Sequence, residues 1–221
     1  VDIYNEIAKE AMEMDLGAAI PYADTLELMA DKSGSKKARA KALNLRGNIA
    51  KAKGDMEGAI LYFRQSLALR VQLNDQKGTA QSYTDIGATF AELYQPDSAI
   101  ANYLKSVEIN EKAGDFSSVA SGYGNIGNLY NDQKVHDKAI AYLEKALKIR
   151  LEHGEEKKCM YTYNNLATAY GTSGNIEKAM EFANKGIAIA LKYDNKFVAG
   201  VIEGGIGYLL IEKGKHEEAI I

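Results

Sequence analysis

The sequence predicts an all-α solenoid of about 5.5 stacked helical hairpins, and three columns of the 221-residue chain carry that prediction. Small residues return at intervals of 40: Gly47, Gly87, Gly127 and Gly207, with Ala167 in the remaining slot. Ala59, Ala99, Ala139, Ala179 and Ala219 keep the same interval. Gly34, Asn74, Gly114, Gly154 and Asp194 form a third column, made of residue types that adopt positive φ at low steric cost. A fixed period of this size marks an architecture in which each unit stacks on its neighbours and the product is a surface, not a closed pocket.

Within one period, apolar or small residues fall at Leu43, Ile49 and Ala50, then at Ala59, Ile60, Phe63, Leu67 and Leu69. These i, i+3, i+4, i+7 spacings predict two amphipathic helices, at about 36–53 and 56–73, with later pairs 40 residues further on. Gly54 suits the residue after a helix end, and Asp55 suits the cap of the next helix. Pro96 falls where a second helix begins and no donor N–H is needed. Asp97, Asp137 and Glu177, in the same turn region, are read as helix caps. A glycine inside a helix costs roughly 1 kcal/mol against alanine. Its recurrence therefore implies close helix crossing, with Gly87 and Gly127 facing Ala99 and Ala139. Tyr83, Tyr123 and Tyr163, with Phe90, Tyr130 and Tyr170, fill the flanking space.

The chain is read as one array over 1–221. A degenerate repeat occupies 1–34, full repeats occupy 35–74, 75–114, 115–154 and 155–194, and a truncated repeat occupies 195–221. The ending at Ala219-Ile220-Ile221 is read as part of a longer protein, with an apolar end open to self-association.

Composition excludes several function classes. Acidic and basic residues are interspersed and the formal net charge is -3, so no nucleic-acid footprint is present. No apolar run approaches the roughly 20 residues that span a bilayer, and Val1 to Glu10 lacks a basic region followed by an apolar one. The piece is expected to be soluble, and the compartment stays open between cytoplasm and periplasm. A single cysteine, Cys159, rules out an internal disulfide and is read as a buried, inert thiol. His136 and His216 lack a second ligand at metal spacing, and His153 is accounted for by a helix C-terminal dipole. Gly204-Gly205-Ile206-Gly207 lacks the Lys-Ser/Thr of a phosphate loop. No catalytic constellation, metal site or cofactor site is expected, and any enzymatic activity would lie outside these residues.

Tyr83-x-x-Ile86-Gly87-x-x-Phe90, Tyr123-x-x-Ile126-Gly127-x-x-Tyr130 and Tyr163-x-x-Leu166-Ala167-x-x-Tyr170 resemble the tetratricopeptide repeat (TPR) signature. Ala99-x-x-x-Tyr103 and Ala139-x-x-x-Leu143 extend the match. Two departures stand out. Tyrosine replaces the usual tryptophan, and Val71, Glu111, Leu151 and Leu191 replace the usual proline, so both helices run longer than in the standard unit. This longer form is similar to TPR arrays of bacterial signalling proteins and also to Pins-type polarity adaptors; Pro96-Asp97-Ser98-Ala99 favours the bacterial group.

The resemblance implies a right-handed superhelix whose concave wall is built by the first helix of each hairpin. It also implies a non-catalytic sensor or scaffold that binds a protein or extended peptide there. Offsets −6, −3, +1 and +4 from the small column share one helix face. The groove residues so selected are Lys41, Asn44 and Asn48, then Gln81 and Thr84, then Asn128 and Asn131, then Tyr161, Asn164 and Thr168, with Asn125 and Asn165 beside them. An amide carries both donors and an acceptor, so a ladder of amides can pair with a peptide backbone; simple solvation of a polar face is the alternative. The carboxylate clamp of chaperone-tail binders is absent, because Asn44, Asp85, Ser121 and Asn125 stand at its required positions. A structural spacer or self-association module is the competing function.

Overall fold

The computed structural model describes residues 16–212 and Gly214, and every regular element among them is an α-helix. These are α1 (Leu16–Ser33), α2 (Lys36–Ala52), α3 (Met56–Gln72), α4 (Gln76–Glu92), α5 (Pro96–Ala113), α6 (Phe116–Asp132), α7 (His136–Glu152), α8 (Glu156–Thr172), α9 (Ile176–Lys192) and α10 (Lys196–Glu212). From α2 onward, starts recur at the 40-residue interval and most helices hold 17 residues. The expectations for Val1–Asp15, His216 and Ala219-Ile220-Ile221 fall outside the described residues.

Local chemistry sets the boundaries. Asp55, Asp75, Asp115 and Asn175 accept the amide three residues on, which satisfies one of the donors a helix start leaves open. Asp97, Asp137 and Glu177 do not cap; they sit one residue inside, in the first turn, where a negative charge complements the helix dipole. The turn column behaves as its residue types require, with φ of 62° at Gly34, 51° at Asn74, 70° at Gly114 and Gly154, and 53° at Asp194. A second positive-φ column runs through Gly54, Tyr94, Lys134 and Gly174, and there Tyr94 and Lys134 adopt a conformation that costs a side-chain-bearing residue free energy.

Packing divides the chain into two compact units, Val1–Ala113 and Gly114–Ile221. In the first unit, α2 packs on α3 and α4 on α5. Gly47 lies against the Phe63 ring, which occupies the space a methyl group would need. Around it, Ala50, Ala59, Phe63 and Ile86 form a dry cluster. At Gly87 an added carbon would stand 3.0 Å from the Tyr103 ring and 3.2 Å from the Ala99 carbonyl oxygen. In the second unit, α6 packs on α7 and α8 on α9. An added carbon on Gly127 would stand 2.7 Å from Leu143 Cγ and 3.2 Å from the Ala139 oxygen. The glycine columns thus sit at helix crossings, where they admit both a backbone and the large side chain four residues past the alanine.

Each unit also holds a buried arginine that the apolar pattern does not foretell. Arg70 Nη1 on α3 donates to the Gly78 carbonyl at 2.6 Å and to Ser82 Oγ at 3.0 Å on α4. Arg150 on α7 does the same one unit later, to the Lys158 carbonyl at 2.8 Å and Thr162 Oγ1 at 2.7 Å on α8. Burial draws both guanidinium groups below their ordinary value. These bonds join the second helix of one hairpin to the first helix of the next.

Candidate functional site

The first helices of the two units present their polar face in different states. In the first unit, Asn44 Nδ2 on α2 donates to Asp85 Oδ2 on α4 at 2.7 Å, and Gln81 Nε2 donates to the other carboxylate oxygen at 2.8 Å. Lys51 pairs with Glu92 at 2.7 Å across the same two helices. Thr84 shares a 2.8 Å hydrogen bond with Ser106 and donates to the Ala80 carbonyl at 3.2 Å. Lys41 and Asn48 lie half-buried on α2. Desolvation raises the Asp85 carboxyl above its ordinary value, opposed by the bonds from Gln81 and Asn44 and by the charges of Arg70 and Lys51. Asn44 thus ties α2 to α4, Gln81 supports the same carboxylate from within α4, and Thr84 turns to α5, while the half-buried Asn48 amide makes no hydrogen bond among the described residues.

The second unit repeats the scaffold with a deletion. Lys158 donates to Ser117, and Thr172 Oγ1 donates to Asn131 Oδ1 at 3.0 Å, so α6 and α8 lie side by side as α2 and α4 do. At the place of Asn44, however, stands Gly124, and Asn165, at the place of Asp85, has no group to bond. One step on, Asn164 stands at the Asn44 position and Gly205 at the Asp85 position. A carbon added to Gly124 or Gly205 would meet nothing within 4 Å. The half-buried side-chain amides of Asn164 and Asn165 are thereby left without a hydrogen bond among the described residues, and the half-buried Asn125 and exposed Asn128 amides make none either. Thr168 donates to the Asn164 carbonyl at 3.0 Å, and Tyr161 is half-exposed on the same helix. The sequence-derived residues thus fall into two groups, Lys41 to Thr84 in the first unit and Asn125 to Thr168 in the second.

Sequence reasoning passed over α10, although Gly207 belongs to the small column. The same offsets select Val201, Gly204, Tyr208 and Ile211, an apolar continuation in which Tyr208 is 68% and Val201 48% exposed. Cys159 is fully buried, and burial pushes its thiol up, as expected of an inert side chain. His153 stacks on the Phe116 ring with centroids 3.9 Å apart, a contact the dipole argument did not include. Among the described residues no cluster of three or more His, Cys, Asp or Glu could hold a metal, and no helix is long and apolar enough to cross a membrane.

A tetratricopeptide repeat family model matches residues 38–112 and 118–192. The fold is similar to the crystal structure of the apo form of RapI, with TM-score 0.83 and 19% identity over 98% of this chain and 80% of that one. Aspartyl phosphate phosphatase F from Bacillus subtilis is similar at TM-score 0.85 and 20% identity, over 96% of this chain and 56% of that one. A signal transduction ATPase with a tetratricopeptide repeat sensor from Pyrococcus horikoshii matches at TM-score 0.80 and 19% identity, over 99% of this chain but 34% of its own. A Rap protein complexed with competence and sporulation factor matches at TM-score 0.77 and 15% identity, over 98% of this chain and 65% of that one. No curated protein matches the sequence. At these identities the structural likeness establishes the fold, an all-α solenoid of helical hairpins.

Proposed function

Since the chain belongs to the tetratricopeptide repeat family, we propose that it is a non-catalytic module that binds a peptide or protein on its first helices, as the sensor or scaffold part of a bacterial signalling protein. The observation that carries this reading is the set of unspent amides on α6 and α8. A half-buried amide without a partner forgoes a hydrogen bond, and an extended backbone offers the matching donors and acceptors in repeat. The Rap protein bound to a factor and the ATPase with a repeat sensor support the same class of function by analogy of fold. Neighbour-to-neighbour stacking supplies the route for output: a ligand bridging α6 and α8 changes their spacing, and the rest of the second unit follows.

The test is titration of candidate peptides against the protein and against an Asn128→Ala, Asn164→Ala double variant. Loss of about 1 kcal/mol per amide is expected; equal affinity in both proteins removes the first-helix face from the account. A spacer or self-association role is the second reading, favoured by the 81% exposure of Phe197, and sedimentation of the protein over a concentration series separates it from the first.

A further inference from the structure

The inner face of the second unit carries no lysine, arginine or carboxylate at its groove offsets on α6 and α8, and on α10 it turns apolar. Resting on the groove reading above, we propose that the second unit takes an extended, uncharged peptide whose bulky apolar side chain seats on α10 between Val201 and Tyr208.

Register distinguishes this pair from the other exposed apolar residues of α10. Phe197 and Ile211 correspond to Ser117 and Asn131, the residues through which α6 touches the next first helix, at Lys158 and Thr172. Val201 and Tyr208 instead correspond to Ser121 and Asn128 on α6 and to Tyr161 and Thr168 on α8, which remain exposed although another first helix lies alongside. The Val201 and Tyr208 positions therefore belong to the groove wall and not to the stacking seam.

Between them on the helix lie Gly204 and Gly205, with no atom within 4 Å of where a side chain would begin. Two consecutive glycines are costly in a helix interior, and here they leave an opening of backbone depth flanked by an aliphatic and an aromatic side chain. An aromatic body with a polar tip suits such a half-wet wall. Asn164, left without a partner by the absence of a side chain at Gly205, stands next to this opening and can hold the peptide backbone while the apolar side chain enters. Helix axes 8–10 Å apart place α6 and α10 about 20 Å from each other, a span that roughly six extended residues cover. An uncharged ligand fits groove offsets on α6, α8 and α10 that carry no ionic side chain, the nearby Lys158 being paired with Glu155.

The test uses capped, fluorescent, uncharged peptides of about six residues, built from Ser, Asn and Gly, with Leu or Phe scanned through each position. Binding is read by anisotropy with the full chain. An apolar residue at one position should tighten binding about tenfold over the serine parent. Val201→Ser with Tyr208→Ser, both on an exposed face, should abolish that preference, so that apolar and parent peptides bind alike, and leave the thermal melt unchanged. Asn128→Ala with Asn164→Ala should weaken parent and apolar peptides alike. If the apolar and parent peptides bind equally, the seat on α10 is overturned while the groove reading survives. If no peptide binds the wild-type chain, the groove reading itself falls. If sedimentation shows a dimer that Val201→Ser with Tyr208→Ser dissolves, this face belongs to a second copy and the proposal is overturned.

Discussion

Asn44 and Asp85 close the face between α2 and α4, whereas Gly124 and Asn165, at the same register, leave the face between α6 and α8 open. The backbone scaffold is the same in both units, down to an arginine that reaches the next hairpin at the same two positions. Among the residues that differ is the one three before the small column, Asn44 in the first unit and Gly124 in the second. One side chain present or missing there decides whether its neighbour's polar group is structural or available. A repeat protein can thus assign stability to some faces and binding to others without altering its fold.

The largest expected effect tests what the units share. Arg70→Ala and Arg150→Ala each strand a carbonyl and a hydroxyl, and each should cost about 1–3 kcal/mol in chemical denaturation. Similar losses in both would confirm a common framework, while a loss confined to one unit would show that the frameworks differ. Next comes transplantation of the tie: Gly124→Asn with Asn165→Asp should join α6 to α8, keep or raise thermal stability by a few tenths of a kcal/mol, and weaken peptide binding about tenfold. Unaltered binding would break the contrast between the units.

Asp85 yields a prediction with a definite sign. Burial holds its folded carboxyl above the ordinary 3.8, so the folded state keeps a proton that the unfolded state has released. Stability from this group is therefore present below pH 3.8 and falls as pH rises toward the folded value, then levels off. Asp85→Asn removes that decline, and the stability of wild type minus variant should become more negative with rising pH over this window. A difference that grows more positive would mean that the charge of Arg70 governs the site instead of desolvation. The smallest effect concerns the turns: Tyr94→Gly and Lys134→Gly relieve positive φ at little loss of contact, Tyr94 being 92% exposed. A gain of about 0.5–1 kcal/mol each in thermal unfolding is expected.

The helices were legible in the sequence because their determinants are local. Asp55, Asp75 and Asp115 cap within three residues, and Asn74 and Asp194 end helices by their own conformational tolerance. The crossings were legible through the 40-residue beat of glycine. The state of the polar face of the first helices was not. Asn44 meets a residue 41 positions away, and nothing in an isolated helix face reveals that Asp85 waits there or that Gly124 has withdrawn the equivalent partner. Arg70 and Arg150 escaped for the same reason, since each reaches into the following helix from a column filled elsewhere by Ala30, Asn110 and Ala190. Val201 and Tyr208, by contrast, could have been read from Gly207 by extending the same offsets.

The contrast between the units is tested most directly by side-chain amide NMR of the full chain during titration with an uncharged, leucine-bearing peptide. The NH2 signals of Asn128, Asn164 and Asn165 should shift on binding while those of Asn44 and Gln81, held by Asp85, stay in place. Movement of Asn44 and Gln81 with stationary Asn128 and Asn164 would contradict the account.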